Sequence, residues 1–164
     1  MLQHLITQPY FAWKLVAALG CGVVAGVFFA FSTFVMPALA RLEATQGIST
    51  MQSINITAIN WWFMTLLFGT AVVCIFLAGS SLLKWHQPSA PYLLVGGLLY
   101  LVGTILVTIA FNVPLNEALA RVNPEEMSSA TLWATYLKNW TLWNHVRTVT
   151  ALAAATLFTI ALSE

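Results

Sequence analysis

A short stretch near the C-terminus concentrates side chains that bind oxygen-rich groups. Asn144, Arg147 and Thr148 are spaced three or four residues apart, so in a helix they share one face, on which Trp140 also lies. A guanidinium flanked by amides can stabilise a developing negative charge. Because Arg147 is the only charge in a long apolar run, it predicts a functional site. The alternative is an arginine that snorkels to a membrane surface or binds main-chain carbonyls.

His145 is the candidate general base. It is the only histidine in this part of the chain, since His4 and His86 lie elsewhere in the sequence. The ordinary pKa range of histidine suits proton abstraction. It follows Asn144 directly and is rotated from it by about 100° around a helix, so an interfacial histidine with no chemical role is the alternative.

A second pair of amides lies in AFNVPLNEALARVNPEE, residues 110–126, where Asn112 and Asn116 flank Pro114. The proline removes a backbone donor and leaves the carbonyl of Ala110 without its helical partner. In lipid, such a carbonyl is tolerated only beside protein or a water-filled cavity. The stretch therefore predicts the wall of a polar cavity. The alternative is a helix end that is capped by asparagine and stopped by proline.

The composition indicates which solvent surrounds these residues. The chain is 60% hydrophobic and 7% charged, whereas an ordinary globular domain carries about 25% charged residues. Lipid must therefore solvate most of its surface. The net charge of +1 argues against nucleic acid as a partner, because a nucleic-acid-binding protein carries a basic stripe.

Four apolar runs are long enough to cross a bilayer as helices. The sequence predicts an all-α membrane protein, an up-and-down bundle of four transmembrane helices with helical extensions or caps on one side. Residues 1–164 form one integral membrane domain, with spans at about 15–37, 57–83, 92–112 and 142–162. The expected location is a membrane that the chain crosses several times, the plasma or inner membrane if the source is bacterial.

Alternating helix direction brings the polar ends of all four runs to one membrane face, which predicts a single pocket there. The candidate catalytic residues of this pocket are Asn112, Asn116, Asn144, His145 and Arg147. The candidate substrate-binding residues are Phe34, Met36, Gln52, Asn55, Trp61, Trp140 and Thr148. No metal site is predicted, because the chain has no Asp and no E-x-x-H or H-E-x-x-H motif. A haem held by His145 is the alternative.

At these residues the sequence resembles the anthrone oxygenase-like family of small four-span membrane proteins. The matching stretches, in family order, are FSTFVMPALARL (31–42), MQSIN (51–55), TIAFNVPLNEAL (108–119) and WTLWNHVRTVTALAA (140–154). The resemblance implies oxidation of an anthrone-like phenolic to a quinone by molecular oxygen, with no cofactor. In that chemistry, Arg147 and the asparagines would stabilise an enolate, while His145 or a water held by the amides would remove the proton.

A non-catalytic membrane module stays open as the alternative function. It would bind a lipid, a quinone or another hydrophobic molecule in the same pocket, or act as an accessory subunit. The expected partners are a hydrophobic small molecule and membrane lipids, with a homodimer as an open alternative.

Overall fold

The computed structural model describes residues 9–126 and 129–164, and every regular element in those ranges is a helix. We number five helices, α1 to α5, and two of them consist of consecutive α-helical and π-helical segments. They are α1 (Pro9–Ala30, Phe31–Val35 and Met36–Leu39), α2 (Ala44–Ala58), α3 (Trp61–Leu83), α4 (Ala90–Leu98, Leu99–Leu106, Thr108–Asn112 and Val113–Ala120) and α5 (Ser129–Ala161). The prediction of an all-helical protein is confirmed for these residues.

Three helices in the described ranges are long and apolar enough to cross a membrane: Tyr10–Leu39, Trp61–Leu83 and Ala90–Ala120. They indicate a membrane protein. The sequence predicted four such spans, and α5 does not reach the required hydropathy. The reason is its composition, because Asn144, His145 and Arg147 interrupt the apolar part of α5.

The four long helices pack in a ring, in which α1 contacts α5, α5 contacts α4, α4 contacts α3 and α3 contacts α1. The short helix α2 packs against α5 and the end of α4, as a cap of the kind predicted. α3 begins where Asn60 caps it, with the Asn60 side chain accepting a hydrogen bond of 3.0 Å from the Phe63 amide.

Helix α4 continues through the NVPLN stretch and ends at Ala120, eight residues beyond the predicted end of the third span at 112. The segment Thr108–Asn112 is π-helical, and the Val113 amide bonds to the Thr108 carbonyl. Pro114 lies in the first turn of the following α-helical segment, where a missing N–H costs little. The alternative of a helix that is stopped by this proline is therefore wrong, because the chain is helical on both sides of Pro114.

Two apolar clusters form the core. The larger lies among α1, α3, α4 and α5 and includes Phe28 and Ala151. The second lies under α2 and includes Met36, Tyr136 and Trp140. On α1 and α5, the residues between these two clusters are polar and buried, and they form the candidate site.

Candidate functional site

Arg147 is buried inside the helix ring, with 4% of its surface exposed. Its Nη1 donates to Thr108 Oγ1 on α4 at 3.2 Å, and its Nη2 donates to Asn144 Oδ1 on α5 at 2.7 Å. The arginine therefore faces the interior, as the sequence predicted, and the snorkelling alternative is wrong.

Two aromatic rings enclose the guanidinium. Its Cζ lies 4.2 Å from the centroid of the Phe28 ring and 5.1 Å from that of Trp140. Both distances permit cation–π attraction, which is stronger where water is excluded. Every side chain in these hydrogen bonds and ring contacts is neutral, so none of them offsets the charge of Arg147. A buried charge with no ionic partner costs several kcal/mol in free energy, which an anionic ligand would recover.

Asn144 orients the arginine. It is completely buried, and its Nδ2 donates to the Phe28 carbonyl and to Ser32 Oγ, both at 2.7 Å. These bonds fix the amide so that its Oδ1 accepts from Arg147. Thr148, one turn further along, donates to the Asn144 carbonyl at 2.8 Å. Asn144 thus connects α1 to the guanidinium.

Two buried polar atoms in this region have no hydrogen-bond partner: Asn112 Oδ1 and Arg147 Nε. Asn112 is 1% exposed, and its Nδ2 donates to the Trp140 carbonyl at 3.2 Å. The same residue, Trp140, stacks on Arg147, so the two unpartnered atoms belong to side chains that share a neighbour. One atom is an acceptor and the other a donor, and leaving either unpaired costs about 1–3 kcal/mol. A ligand with both a hydroxyl and an oxyanion or carbonyl would satisfy them.

Asn116 lies outside this pair and supports the Trp140 side chain. Its Oδ1 accepts from Trp140 Nε1 at 2.8 Å and from the Tyr136 hydroxyl at 2.9 Å. Burial raises the pKa of Tyr136, against smaller opposing effects of Asn55 and Arg147. The phenol therefore stays protonated at neutral pH and remains a donor to Asn116.

The π-helical segments supply the polar partners that reach the site from outside α5. Ser32 belongs to Phe31–Val35, and Thr108 and Asn112 belong to Thr108–Asn112. A π-turn widens the helix and shifts the direction of its side chains, and such turns occur often at functional sites. Here they direct polar groups of α1 and α4 at one stretch of α5.

The structure brings together Asn112, Asn144, Arg147, Trp140 and Thr148 as predicted. Gln52 has a different place: its Nε2 donates to the Leu119 and Val122 carbonyls at 2.9 and 3.0 Å. That side chain fastens α2 to the end of α4, which is a structural contact and not a substrate contact.

His145, Phe34 and Trp61 also lie outside the cluster. His145 is exposed, and two residues of helix rotate it about 160° away from Arg147, so it cannot serve as a base at the guanidinium. Phe34 and Trp61 are 61% and 65% exposed, and Trp61 packs against Trp62. Their aromatic character fits a lipid-facing surface as well as a ring-binding wall, and the sequence alone does not separate the two.

Met36 and His145 instead line an open groove on the outside of the protein, between the end of α1 and the first half of α5. The groove has a volume of about 530 Å³. Its other lining residues are Pro37, Ala40, Ala134, Leu137, Lys138, Thr141 and Leu142. The sequence predicted a single pocket. The structure instead has a packed polar cluster inside the helix ring and this separate groove on the outer surface.

The sequence prediction missed Phe28 and Thr108. Thr108 lies four residues before the predicted site residue Asn112, and Phe28 lies four residues before Ser32 in the FSTFVMPALARL stretch, so the helical repeat places each pair on one face. A search one turn back from each polar residue would have found both.

Comparison with known families identifies the chain. A family model described as anthrone oxygenase matches residues 60–157. The chain belongs to the anthrone oxygenase family. Comparisons with curated proteins and with solved structures gave no significant match.

The anthrone oxygenase match contains Asn112, Asn144 and Arg147, with Thr108 and Trp140. The stretches at 31–42 and 51–55 that suggested the same family lie before the matched range, as do Phe28 and Ser32. The family assignment therefore depends on α3, α4 and α5. Helix α5 supplies the guanidinium, and its side-chain hydrogen-bond partners come from α4 and α5.

Proposed function

We propose that this anthrone oxygenase family member is a membrane-embedded oxygenase that converts anthrone-like phenolic substrates to quinones with molecular oxygen, without a metal or flavin. The observation that carries the proposal is the Arg147 guanidinium, which is buried between two aromatic rings. Within residues 9–126 and 129–164 it has no acidic partner, and its Nε has no hydrogen-bond partner. A site of this kind favours an anion derived from an aromatic substrate.

We propose further that α5 crosses the membrane with α1, α3 and α4, as the fourth helix of a multi-pass bundle. Its polar residues face inward, where Asn144 and Arg147 are buried. Its outward residues Val149, Leu152 and Ile160 are large, apolar and exposed. Low mean hydropathy does not prevent a helix from crossing when its polar side chains are paired inside a bundle.

The chemistry needs mainly a stabilised anion. An anthrone carries a CH₂ group opposite its carbonyl, and loss of one proton from that CH₂ gives an enolate. The enolate transfers one electron to O₂, and the resulting radical and superoxide combine at the same carbon as a peroxide, which takes up a proton. The hydroperoxide loses water to give the second carbonyl. The sum is anthrone plus O₂ giving anthraquinone plus H₂O, which balances atoms and electrons.

The roles follow from the two buried polar atoms of the site that have no hydrogen-bond partner. Arg147 Nε donates to the enolate oxygen, and Asn112 Oδ1 accepts from a neighbouring phenol hydroxyl of the substrate. Asn144 holds the guanidinium in place through its bonds to α1. Because no basic side chain contacts the guanidinium in these bonds and ring contacts, we assign the proton acceptor to a water molecule at the CH₂ end of the substrate, opposite the carbonyl end that Arg147 and Asn112 bind.

The test is oxidation of 1,8-dihydroxyanthrone by the purified protein in lipid nanodiscs, with quinone absorbance and O₂ uptake recorded together. Arg147→Met should lower the rate above background by about 100-fold, as for loss of one oxyanion donor. The exposed Arg41 provides the control, and Arg41→Met should retain the wild-type rate. Full activity of a folded Arg147→Met protein would remove the proposed role.

A second candidate function is ligand binding without turnover. It is favoured by the exposed position of His145, which leaves no basic side chain among the hydrogen-bond and ring contacts of Arg147. In that case 1,8-dihydroxyanthrone should bind to the wild-type protein and bind less tightly to Arg147→Met, while neither protein accelerates O₂ uptake.

A further inference from the structure

The groove between α1 and α5 is unused by the proposed chemistry. Its floor and walls are mainly apolar, with Met36, Pro37 and Ala40 from α1 opposite Ala134, Leu137 and Leu142 from α5. The hydrogen-bonding groups at its surface are Lys138, Thr141 and His145, and no acidic residue lines it. An apolar groove with a single cation and two neutral polar groups fits an amphiphile whose head is anionic.

These three residues follow one another along one face of α5. Thr141 and His145 lie three and seven residues after Lys138, so His145 is two turns, or about 10.5 Å, from Lys138 along the helix axis. Lys138 and His145 are both exposed. Val149 and Leu152, which are 65% and 57% exposed, continue the same face. The order along this face is a cation, then hydrogen-bonding groups, then hydrocarbon.

The order of charged, polar and apolar residues along this face of α5 can be compared with the position of the apolar span of α1. Met36, Pro37 and Ala40 lie at the last turn of Tyr10–Leu39, where that apolar helix ends. α5 runs antiparallel to α1, as shown by Lys14 Nζ near the start of α1 donating to the carbonyl of Ala161 at the end of α5. With α5 crossing the membrane as proposed above, Lys138 lies at the bilayer surface, and Val149 and Leu152 lie at the depth of the acyl chains.

We propose that this groove binds an anionic phospholipid. Lys138 pairs with the headgroup phosphate, Thr141 and His145 donate to the glycerol ester carbonyls, and one acyl chain lies along Leu142, Val149 and Leu152. The sequence of charge, polar linkage and hydrocarbon in a phospholipid matches that of the α5 face. The proposal rests on the membrane placement given under the proposed function and is independent of the oxygenase chemistry.

The experiment measures lipid selectivity on the full chain. The protein is exchanged into mixed micelles containing equal amounts of phosphatidylglycerol and phosphatidylcholine, and the lipids retained are counted by native mass spectrometry. A lysine near a membrane surface favours an anionic lipid by an amount that corresponds to about fivefold in affinity. The wild-type protein should therefore retain phosphatidylglycerol over phosphatidylcholine, and Lys138→Gln should lower that preference about fivefold.

Lys84 supplies the matched control, because it is an exposed lysine at the opposite end of the helices. Lys84→Gln should leave the preference unchanged. His145→Ala should weaken the retention of both lipids by a similar factor, since the ester carbonyls are common to both. An unchanged preference in Lys138→Gln would overturn the proposal, and so would displacement of the lipid by 1,8-dihydroxyanthrone at the concentration that saturates turnover.

Failure of this proposal is distinguishable from failure of the proposed function. Membrane placement is measured separately, by resistance of the protein to alkaline extraction from vesicles. A protein that resists extraction but shows no lipid preference contradicts the groove assignment alone. A protein that is extracted contradicts the membrane placement itself.

Discussion

At the scale of single residues, the three asparagines around Arg147 and Trp140 have different roles. Asn144 is fully bonded and orients the guanidinium, Asn116 supports Trp140 and Tyr136, and Asn112 keeps a free oxygen. Residue type alone does not distinguish them, since all three occur in similar apolar contexts. Their hydrogen bonds distinguish them, and the same substitution to leucine is therefore expected to have a different effect at each asparagine.

Asn112→Leu separates function from stability. It removes one long hydrogen bond, of 3.2 Å, and also removes an unpartnered buried oxygen, so the free energy of unfolding should change by less than about 1 kcal/mol. Oxidation of 1,8-dihydroxyanthrone should fall about tenfold, because the substrate hydroxyl loses its acceptor. Thermal melting in detergent and the quinone assay on one preparation check both parts.

Asn116→Leu is the contrasting variant. It leaves the Trp140 Nε1–H and the Tyr136 hydroxyl without their acceptor, which should lower the free energy of unfolding by about 3 kcal/mol. If Asn112→Leu proves as destabilising as Asn116→Leu, then Asn112 is a structural residue and the free oxygen has no role.

Asn144→Leu should be the most destabilising of the three asparagine substitutions. It removes the bonds to Phe28 and Ser32 and leaves the buried Arg147 with one hydrogen-bond partner fewer. The expected loss is about 3–5 kcal/mol, as for other broken buried networks that involve a charge, measured as a fall in melting temperature. Thr156→Val on the same helix is the control, because Thr156 is exposed and bonds only to its own helix.

At the scale of elements, the sequence predicted the helices and the polar face of α5 but not the π-helical segments. Apolar periodicity is read over a window of about 11–18 residues, so a π-helical segment as short as Thr108–Asn112 gives no separate signal. The continuation of α4 through Pro114 was missed for a related reason. A proline is compatible with the first turn of a new helical segment, and only the packing of α4 on α5 decides whether the chain bends there.

Close packing of α3 on α4 depends on Gly97. A Cβ at this position would lie 2.9 Å from the Ala78 Cβ and 3.0 Å from the Cys74 carbonyl oxygen. Gly97→Ala should therefore separate the two helices and lower the free energy of unfolding by about 1–3 kcal/mol. Melting curves in detergent measure this change.

Gly22→Ala is the matched control on α1, because nothing lies within 4 Å of a Cβ at that position. Alanine is the better helix former, so this variant should be neutral or more stable by up to about 1 kcal/mol. Equal destabilisation by the two substitutions would show that the α3–α4 contact is not as close as the structure has it.

At the scale of the whole molecule, the sequence predicted four spans, and three helices in the part of the chain that the structure describes meet the hydropathy requirement. The site explains part of the difference, because Asn144 and Arg147 lower the hydropathy of α5, and the exposed His145 lowers it further. The inward direction of Asn144 and Arg147 could be predicted from their spacing. Their pairing with Phe28, Ser32 and Thr108 could not, because it depends on how α1 and α4 are rotated about their axes.

A bundle with four crossings places both chain ends on the same side of the membrane. Tags fused to the N- and C-terminus should then be equally accessible to protease in sealed vesicles, and equally protected in inverted ones. Tags on opposite sides would mean three crossings, with α5 outside the membrane.

The central claim is that the buried Arg147 favours the anionic form of a bound aromatic ligand, and a spectrophotometric titration of a bound hydroxyanthraquinone tests it most directly. A cation near a phenol lowers the pKa of the phenol. The ligand bound to wild-type protein should therefore take on the absorbance of its anion about one pH unit or more below the pH needed in empty micelles. With Arg147→Met that difference should disappear. The same ionisation pH in the wild-type protein and in Arg147→Met would contradict the account.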